Sequence, residues 1–157
     1  MEAPIFALDF AAANVNLGSS YLLVGTDSYL VDKVIETIKK KLKKKENIDT
    51  FIIYGDDVKS SELADILDTY TIFSSAKLVI LKNAEQLNKY ELKTLSSYFS
   101  SPSEIQSLAI ATEKIDLHNE SWKQIKAHST IINCESPRYG GTTMARGWPL
   151  VSVSCVV

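Results

Sequence analysis

Short apolar runs alternate with amphipathic helical patterns along most of this chain, and no other sequence feature constrains the fold as strongly. The apolar runs lie in the stretches YLLVG, DTFIIYG, AKLVILKN, SLAIATE and STIINCE. Between them, apolar side chains recur at the spacing that is typical of helices. Strands separated by helices in this way form βαβ units with a parallel sheet. We therefore predict one α/β domain with a five-stranded parallel sheet and helices on both faces.

The composition fits one globular domain. The chain has 157 residues, of which 45% are hydrophobic and 23% charged, as in ordinary folded domains. Its opening stretch, MEAPIFALDFAAANVNLGSS, has no basic residue, so a secretory signal is not expected. No apolar run approaches the roughly 18 residues that suggest a membrane span. We therefore expect a cytoplasmic protein that does not contact membranes.

The chain divides into three parts: an N-terminal lead-in at residues 1–19, the α/β domain at 20–136 and an irregular tail at 137–157. The tail has three of the six glycines, no acidic residue and no helical period. It ends in PLVSVSCVV, an apolar stretch that is unfavourable in contact with water. Its composition leaves two origins open. One is a non-native end, derived from cloning or from a shifted reading frame, and the other is a genuine edge strand.

The first apolar run ends in a short turn that opens a helical pattern, YLLVGTDSYLVD. Phosphate loops at such corners need several glycines and a Gly-Lys pair. Here Gly25 stands alone and no lysine follows a glycine. Asp27 is best explained as a helix N-cap, and its carboxylate would repel a phosphate. We therefore assign Gly25, Thr26 and Asp27 to a degenerate phosphate-loop position.

The third apolar run supports the same conclusion. In P-loop ATPases this strand ends in acidic residues that position magnesium, whereas here LVILKNAEQL places Lys82 and Asn83 there. A cation at the metal position would oppose metal binding by about 4 kcal/mol at close range and an effective dielectric near 20. We therefore predict a P-loop NTPase-like fold with a degenerate metal-site position, no bound cofactor and no ATP hydrolysis.

Other catalytic chemistries lack the residues they require. His118 and His128 have no catalytic partners in the sequence pattern and are interpreted as surface or capping residues. Cys134 and Cys155 are too few for a disulfide framework and lack metal-ligand spacing with the histidines. We therefore expect no metal site and no intrinsic catalysis.

One local charge feature stands out in a chain whose net charge is −2. The stretch KKKLKKK closes a helical pattern, so its lysines can be a solvated helix end that favours the helix dipole. The same cluster could instead contact the phosphates of a DNA backbone. We favour the first interpretation and keep the second open. The six residues are Lys39, Lys40, Lys41, Lys43, Lys44 and Lys45.

Several stretches together resemble a known family, in order and over about residues 5 to 137. They are YLLVGTDSYLVDKVIETI, FIIYGDD, ELADILDTYTIFSSAKLVILKNAEQL, LSSYFSSPS, SLAIAT and TIINCES. In this order they resemble the N-terminal AAA+-like domain of the delta subunit of the bacterial DNA polymerase III clamp loader. The part of this resemblance that is specific to the family is the pattern FSS, KLV and NAE in the third stretch.

The resemblance implies a domain that has lost ATP binding, grips the beta sliding clamp and favours the open ring during DNA replication. In this family the clamp-binding element lies at the end of the second helix and in the following turn. The matching positions are Tyr70, Ile72 and Phe73, and Tyr70 departs from the usual aliphatic residue. From the residues alone, the latter two could instead pack under the sheet.

The resemblance also implies partners. These are the beta sliding clamp, the other clamp-loader subunits (delta prime and tau/gamma) in the full-length protein, and primer-template DNA indirectly. Together they belong to the DNA polymerase III holoenzyme, which is a nucleotidyltransferase complex. The family continues into a lid and a collar domain, so we expect this domain to hold the clamp but not to load it. A second function class stays open: a nucleotide-binding AAA+ or Rossmann-like enzyme with an atypical phosphate loop.

Overall fold

A computed structural model describes residues 5–6, 15–68 and 75–135. Six strands are present within these ranges: β1 (Ile5–Phe6), β2 (Ser20–Val24), β3 (Ile48–Tyr54), β4 (Ala76–Lys82), β5 (Gln106–Thr112) and β6 (Thr130–Asn133). Four α-helices are described with them: α1 (Ser28–Lys43), α2 (Ser60–Asp68), α3 (Lys89–Tyr98) and α4 (Glu120–Ala127). A short 3-10 turn, Ala84–Gln86, follows β4.

The strands form one sheet in the order β1-β6-β2-β5-β4-β3, and every pair is parallel. The predicted five-stranded parallel sheet is therefore confirmed. The structure adds β1, which pairs with β6 at one edge and belongs to the lead-in. The sequence did not predict this strand, because two residues carry no period. The predicted tail lies outside the described residues.

Helices cover both faces of the sheet, as predicted. Successive residues of a strand point to opposite faces, so Leu23 packs against α1 while Leu22 packs in the cluster that α2, α3 and α4 cover. Both leucines are fully buried. Burying a leucine stabilises a fold by about 1.5–3 kcal/mol, and the central strands β2, β4 and β5 repeat this pattern along their length.

Helix α1 determines the geometry of the first corner. The Asp27 side chain accepts a hydrogen bond from the Leu30 amide at 3.2 Å, which confirms its role as N-cap. Five apolar side chains at helical spacing then face the sheet, and all are buried: Leu30, Val34, Ile35, Ile38 and Leu42. Because this face is fixed, the lysines of the last turns are directed away from the core or toward its rim.

The other helices begin where local sequence signals place them. Asn88 and Glu91 form a reciprocal capping box at the start of α3, as their spacing predicts. Trp122 and Ile125 of α4 are buried against the sheet. Among the described helices, none combines the length and the apolar character that a membrane crossing requires.

Candidate functional site

The carboxyl ends of three neighbouring strands enclose a cleft of about 250 Å³. Gly25 and Thr26 come from the end of β2, Lys82 and Asn83 from the end of β4, and Thr112 from the end of β5. This is the edge at which open α/β sheets bind ligands. The structure therefore brings the predicted phosphate-loop and metal-site positions together in one place.

Three successive backbone amides of this corner donate hydrogen bonds to the protein itself. The Gly25 amide donates to the Thr112 carbonyl at 3.0 Å, and the Asp27 amide to the Cys134 carbonyl at 3.3 Å. The Thr26 amide donates to Oε1 of Glu135 at 2.6 Å. In a phosphate loop such amides point at the phosphate oxygens. Here they would have to leave existing partners before they could bind a phosphate.

Glu135 is the residue that sequence reasoning missed at this corner. Its second oxygen, Oε2, accepts from the Thr26 hydroxyl at 3.3 Å, so both oxygens of the carboxylate contact Thr26. The Glu135 amide in turn donates to Oδ1 of Asn133 at 2.9 Å. A negative group of the chain thus occupies the amide and the hydroxyl of Thr26. Thr26 and Glu135 are 109 positions apart, and no local pattern joins them.

Gly25 allows the chain after β6 to approach this corner. Its φ is +154°, and a Cβ at this position would lie 2.3 Å from the carbonyl carbon of Cys134 and 2.4 Å from the oxygen. Any larger residue would meet this backbone. The lone glycine of the corner is therefore explained by internal packing and not by a ligand.

Lys82 is held across the cleft by an ion pair. Its Nζ lies 3.1 Å from Oδ1 of Asp32 on α1, and the two side chains are 29% and 62% exposed. A pair this exposed is worth at most about 1 kcal/mol, so its importance lies in position rather than in stability. At the predicted metal-site position, the ammonium group of Lys82 is thus paired with a carboxylate of α1.

Asn83 has a conformational role beside Lys82. It adopts a left-handed backbone with φ 57° and ψ 43°, which asparagine tolerates better than most residues. Gly55 packs closely against it, because a Cβ on Gly55 would lie 2.1 Å from the Asn83 carbonyl oxygen. The Gly55 amide also donates to the Lys82 carbonyl at 2.7 Å. Asn83 therefore shapes the turn that follows β4, and this turn packs against Gly55 at the end of β3.

The remaining ionisable side chains that line the cleft are acidic. Among the described residues they are Asp32, Glu85 and Glu113, against one cation, Lys82. Oε1 of Glu85 accepts from the Glu113 amide at 3.0 Å, which fixes one carboxylate at the rim. Three carboxylates and one amine give the cleft a negative balance, which is unfavourable for a triphosphate.

The histidines and the described cysteine have structural surroundings. His118 is exposed in a turn, and His128 ends α4 with its ring stacked on Phe99. Cys134 is buried, and burial, with Asp27 and Glu135 nearby, raises the pKa of its thiol to about 12. Across the part of the chain that the structure covers, no group of His, Cys, Asp and Glu is arranged to hold a metal. Cys155 lies outside that part.

The predicted clamp-binding residues Tyr70, Ile72 and Phe73 lie outside the described residues, so their role stays a prediction. The residues on either side of residues 69–74 make contacts within the domain. The Lys77 ammonium group donates to the Ile66 carbonyl in α2. The amides of Ser75 and Ala76 donate to the Asn47 carbonyl at 3.1 and 3.3 Å. Both flanks of this segment are therefore fixed to the domain.

Lys77 is an unusual residue at this position, because it is only 3% exposed. Its ammonium group lies 5.7 Å from the centre of the Phe51 ring, within the range of a cation–π contact. Burial lowers the pKa of Lys77, and the nearby Asp68 carboxylate partly opposes this effect. A buried amine is costly unless it has partners. Here the partners include the last turn of α2.

The lysine run at the end of α1 is not uniform. Nζ of Lys45 donates to the Val15 carbonyl at 2.6 Å and contacts the Asn16 side chain at 3.4 Å. Lys39 pairs with Glu36 at 3.6 Å. Lys40, Lys43 and Lys44 are exposed, and Lys41 is half-buried. The solvated helix end and the DNA contact therefore both stay predictions.

Comparisons with known proteins concern the family and the fold of the chain. The model of the family "DNA polymerase III, delta subunit" matches residues 21–135. Among solved structures, the Bacillus subtilis DNA clamp loader delta protein is similar with a TM-score of 0.62 and 21% identity, over 76% of this chain and 39% of that one. No curated protein matches the chain.

Two further structures share the fold. A DNA polymerase III gamma subunit-related protein from Thermotoga maritima has a TM-score of 0.59 and 17% identity, over 88% of this chain and 50% of that one. A variant of Thermotoga maritima RuvB has a TM-score of 0.52 and 18% identity, over 77% of this chain and 38% of that one. The chain thus spans half or less of each of these proteins. The fold is of the P-loop, AAA+-like kind, and because the family match covers more than half of the sequence, the chain belongs to the DNA polymerase III delta-subunit family.

Proposed function

We propose that this chain binds the beta sliding clamp and favours its open form during DNA replication, without binding or hydrolysing ATP itself. One observation supports the absence of ATP binding: the amides of Gly25, Thr26 and Asp27 all donate hydrogen bonds within the protein, and the Thr26 amide donates to the Glu135 carboxylate. Membership of the delta-subunit family supports the proposed binding to the sliding clamp.

The clamp contact is assigned to Tyr70, Ile72 and Phe73, the positions that match the family's clamp-binding element. Burying one large apolar side chain in a partner pocket yields about 1.5–3 kcal/mol. Ile72 and Phe73 would therefore contribute about 3–6 kcal/mol before the costs of association. The fixed flanks at Ile66 and at Ser75 favour such a contact, because a segment with anchored ends loses less conformational freedom on binding.

Opening of the clamp then requires no chemistry in this chain. A partner that binds the open ring more tightly than the closed ring shifts the equilibrium toward the open ring by that difference in affinity. Delta prime and tau/gamma subunits, and indirectly primer-template DNA, complete the assembly in this proposal. A cytoplasmic location follows from a role in replication and is part of the same proposal.

The test is a double variant, Ile72→Ala with Phe73→Ala, measured for clamp binding by surface plasmon resonance. We expect a loss of at least about 100-fold in affinity, since about 3 kcal/mol corresponds to that factor. A matched control is Tyr90→Ala with Leu117→Ala, which removes two side chains that are 65% and 36% exposed and that follow the carboxyl ends of β4 and β5, at the opposite edge of the sheet from Ser75. The control should bind like the wild type, and both variants should remain folded by circular dichroism. Unchanged affinity of the first variant would refute the assignment.

The competing function is a nucleotide-dependent enzyme with an atypical phosphate loop. The occupied amides and the acidic lining of the cleft oppose it. Isothermal titration calorimetry with Mg-ATP separates the two functions. We expect no measurable heat of binding, and a micromolar dissociation constant would favour the enzyme.

A further inference from the structure

Strand β3 forms one edge of the sheet in the part of the chain that the structure describes. It is the last strand in the sheet order, and its partner there is β4. The pairing runs without a bulge from Ile48 to Tyr54. Proteins commonly protect a free strand edge with lysine, proline or a bulge, and β3, IDTFIIY, contains none of these. This edge is therefore open to pairing with another strand.

Alternate residues of β3 direct their amide and carbonyl groups away from β4. The Gly55 amide donates to the Lys82 carbonyl of β4 at 2.7 Å, and in a parallel ladder the backbone groups of successive residues point to opposite sides. The groups of every second residue before Tyr54 therefore point outward with those of Tyr54 itself. Each outward residue offers one donor and one acceptor. These residues are Ile48, Thr50, Ile52 and Tyr54.

The side chains along this edge are largely apolar and partly exposed. Phe51, Ile52 and Tyr54 are 40%, 51% and 46% exposed, and they are three of the seven large apolar side chains that are exposed among the described residues. The charged residue of the strand, Asp49, lies opposite Lys77 of β4. A strand that paired with this edge would shield the apolar side chains from water.

The two ends of β3 carry opposite charges. Before the strand, the exposed residues Lys43 and Lys44 line a depression together with Ile48, the first residue of β3. After the strand, Asp56 and Asp57 are exposed in the turn. The edge therefore runs from a basic end to an acidic end.

The other charges near these ends do not reverse this polarity. Glu46 is exposed at the basic end, and Lys59 is exposed just beyond the acidic end. Lys45 also belongs to the basic end, where its Nζ donates to the Val15 carbonyl at 2.6 Å. The basic end thus keeps an excess of lysine, and the acidic end keeps an excess of aspartate.

We propose that β3 pairs antiparallel with β3 of a second copy of this chain across a two-fold axis. A two-fold interface needs a surface that is complementary to itself. Antiparallel pairing lays the basic end of each copy beside the acidic end of the other, whereas parallel pairing would lay like charges together. The inference goes beyond the proposed function and uses none of the residues assigned to clamp binding.

One register of this pairing uses all the outward backbone groups. Centred on Phe51, it places Thr50 opposite Ile52 of the second copy, and Ile48 opposite Tyr54 of the second copy. In an antiparallel ladder each such pair exchanges two hydrogen bonds. Phe51 then lies opposite Phe51 of the second copy, and cross-strand aromatic pairs stabilise sheets.

The same register brings the charged ends together. Lys45 and Asp57 are equally far from Phe51 along the chain, so Lys45 of one copy lies opposite Asp57 of the other. Lys44 occupies the neighbouring position. Exposed ion pairs add little to stability, so these charges serve mainly to select the antiparallel direction.

Sedimentation equilibrium of the whole chain tests for the dimer. A Cys155→Ser background prevents a disulfide between copies through that residue. We expect a monomer–dimer equilibrium with a dissociation constant of about 1–100 µM, because a single strand pair buries less than the roughly 1,600 Å² of a standard interface. A chain whose own tail covers the edge would stay monomeric. A monomer at concentrations up to about 1 mM would therefore overturn the inference.

Ile52→Lys tests the edge itself. Ile52 is 51% exposed and its amide points away from β4, so the variant should remain folded by circular dichroism. A lysine within the ladder of each copy should weaken dimerisation at least about tenfold. The matched control is Tyr90→Lys, which changes a side chain of α3 that is 65% exposed and should leave the dimer unchanged. Unchanged dimerisation of Ile52→Lys, or equal weakening by the control, would overturn the inference.

Two charge variants test the antiparallel direction. Lys43→Glu with Lys44→Glu makes both ends acidic, and Asp56→Lys with Asp57→Lys makes both ends basic. Each variant alone should dimerise about tenfold more weakly than the wild type at low ionic strength. An equimolar mixture should regain the wild-type affinity, because every acidic end then meets a basic end. Wild-type dimerisation of both variants alone, or a mixture that associates no more tightly than its parts, would overturn the pairing.

Amide hydrogen exchange locates the contact. The amides of Thr50 and Ile52 point outward in the monomer and would be hydrogen-bonded in the dimer. We expect their exchange to slow as the protein concentration rises through the dissociation constant, and to stay fast in Ile52→Lys. Exchange at Thr50 that does not depend on concentration, in a chain that dimerises, would place the interface elsewhere and overturn the inference.

Discussion

Replacing Gly25 with alanine tests whether the backbone after β6 packs directly against the first corner. The added Cβ would lie 2.3 Å from the Cys134 carbonyl carbon, 2.4 Å from its oxygen and 2.8 Å from the Glu135 nitrogen. These are backbone atoms, so they cannot move aside as the end of a flexible side chain could. The chain after β6 would have to shift, and the contact between Glu135 and Thr26 would shift with it.

The cost of Gly25→Ala has two parts. A non-glycine residue at φ +154° occupies a sparsely populated region, at about 1–3 kcal/mol. Displacing close-packed neighbours adds about 1–3 kcal/mol. We therefore expect the free energy of unfolding to fall by about 2–6 kcal/mol, a large fraction of the roughly 5–15 kcal/mol typical of a domain.

Urea denaturation followed by circular dichroism measures this loss. Ser28→Ala is the matched control, because Ser28 is exposed, lines the same cleft and begins α1. We expect the control to lie within about 0.5 kcal/mol of the wild type. If Gly25 instead served a phosphate ligand, alanine would impair nucleotide binding and leave the unfolding free energy nearly unchanged. A loss below about 0.5 kcal/mol would therefore refute the closed corner.

Three further predictions concern stability and reactivity. Asn88→Ala removes the N-cap of α3 and should lower the unfolding free energy by about 0.5–2 kcal/mol in urea denaturation; no loss would contradict the capping box. In a Cys155→Ser background, Cys134 should react with a thiol reagent at about pH 8 only as fast as the domain opens, because burial raises its pKa to about 12; immediate labelling of the native protein would contradict this. Burial lowers the pKa of Lys77 in the folded state below its usual value of 10.5. At pH values between these two pKa values, the unfolded state therefore binds more protons than the folded state. The unfolding free energy of the wild type relative to Lys77→Met should therefore rise with pH toward 10.5, and a flat or falling difference would contradict the burial.

The sequence predicted the fold well because the relevant signals are local. Apolar periodicity identifies the strands and the buried face of α1, and the Asn88–Glu91 spacing identifies the start of α3. Each of these signals lies within one helix or one strand, where nearby residues share a face or a hydrogen bond. The absence of a Gly-Lys pair is equally local. It predicts a degenerate phosphate-loop position, and this stays a prediction.

The contacts at the first corner and across the cleft could not be predicted in the same way. Thr26 and Glu135 are 109 positions apart, and Lys82 and Asp32 are 50 apart. The first contact depends on the strand order, which places the end of β6 beside the end of β2, and the second joins the end of β4 to α1. The pairing of β1 with β6 has the same origin. A pattern of hydrophobicity does not specify which strands become neighbours.

Lys77 shows a further limit of sequence patterns. The stretch AKLVILK indicates a buried strand with a lysine near its start, where an amine usually reaches solvent. The structure instead buries it beneath the last turn of α2. The reason is tertiary: the Ile66 carbonyl and the Phe51 ring come from other elements. Only the packed domain provides these partners.

Clamp binding measured with and without nucleotide on one sensor surface tests both halves of the proposed function together. We expect the chain to bind the sliding clamp with the same dissociation constant in the presence and absence of Mg-ATP, because the corner amides and Lys82 are already engaged within the domain. Clamp binding that requires ATP, or a dissociation constant that shifts tenfold when ATP is added, which is about 1.4 kcal/mol, would contradict it.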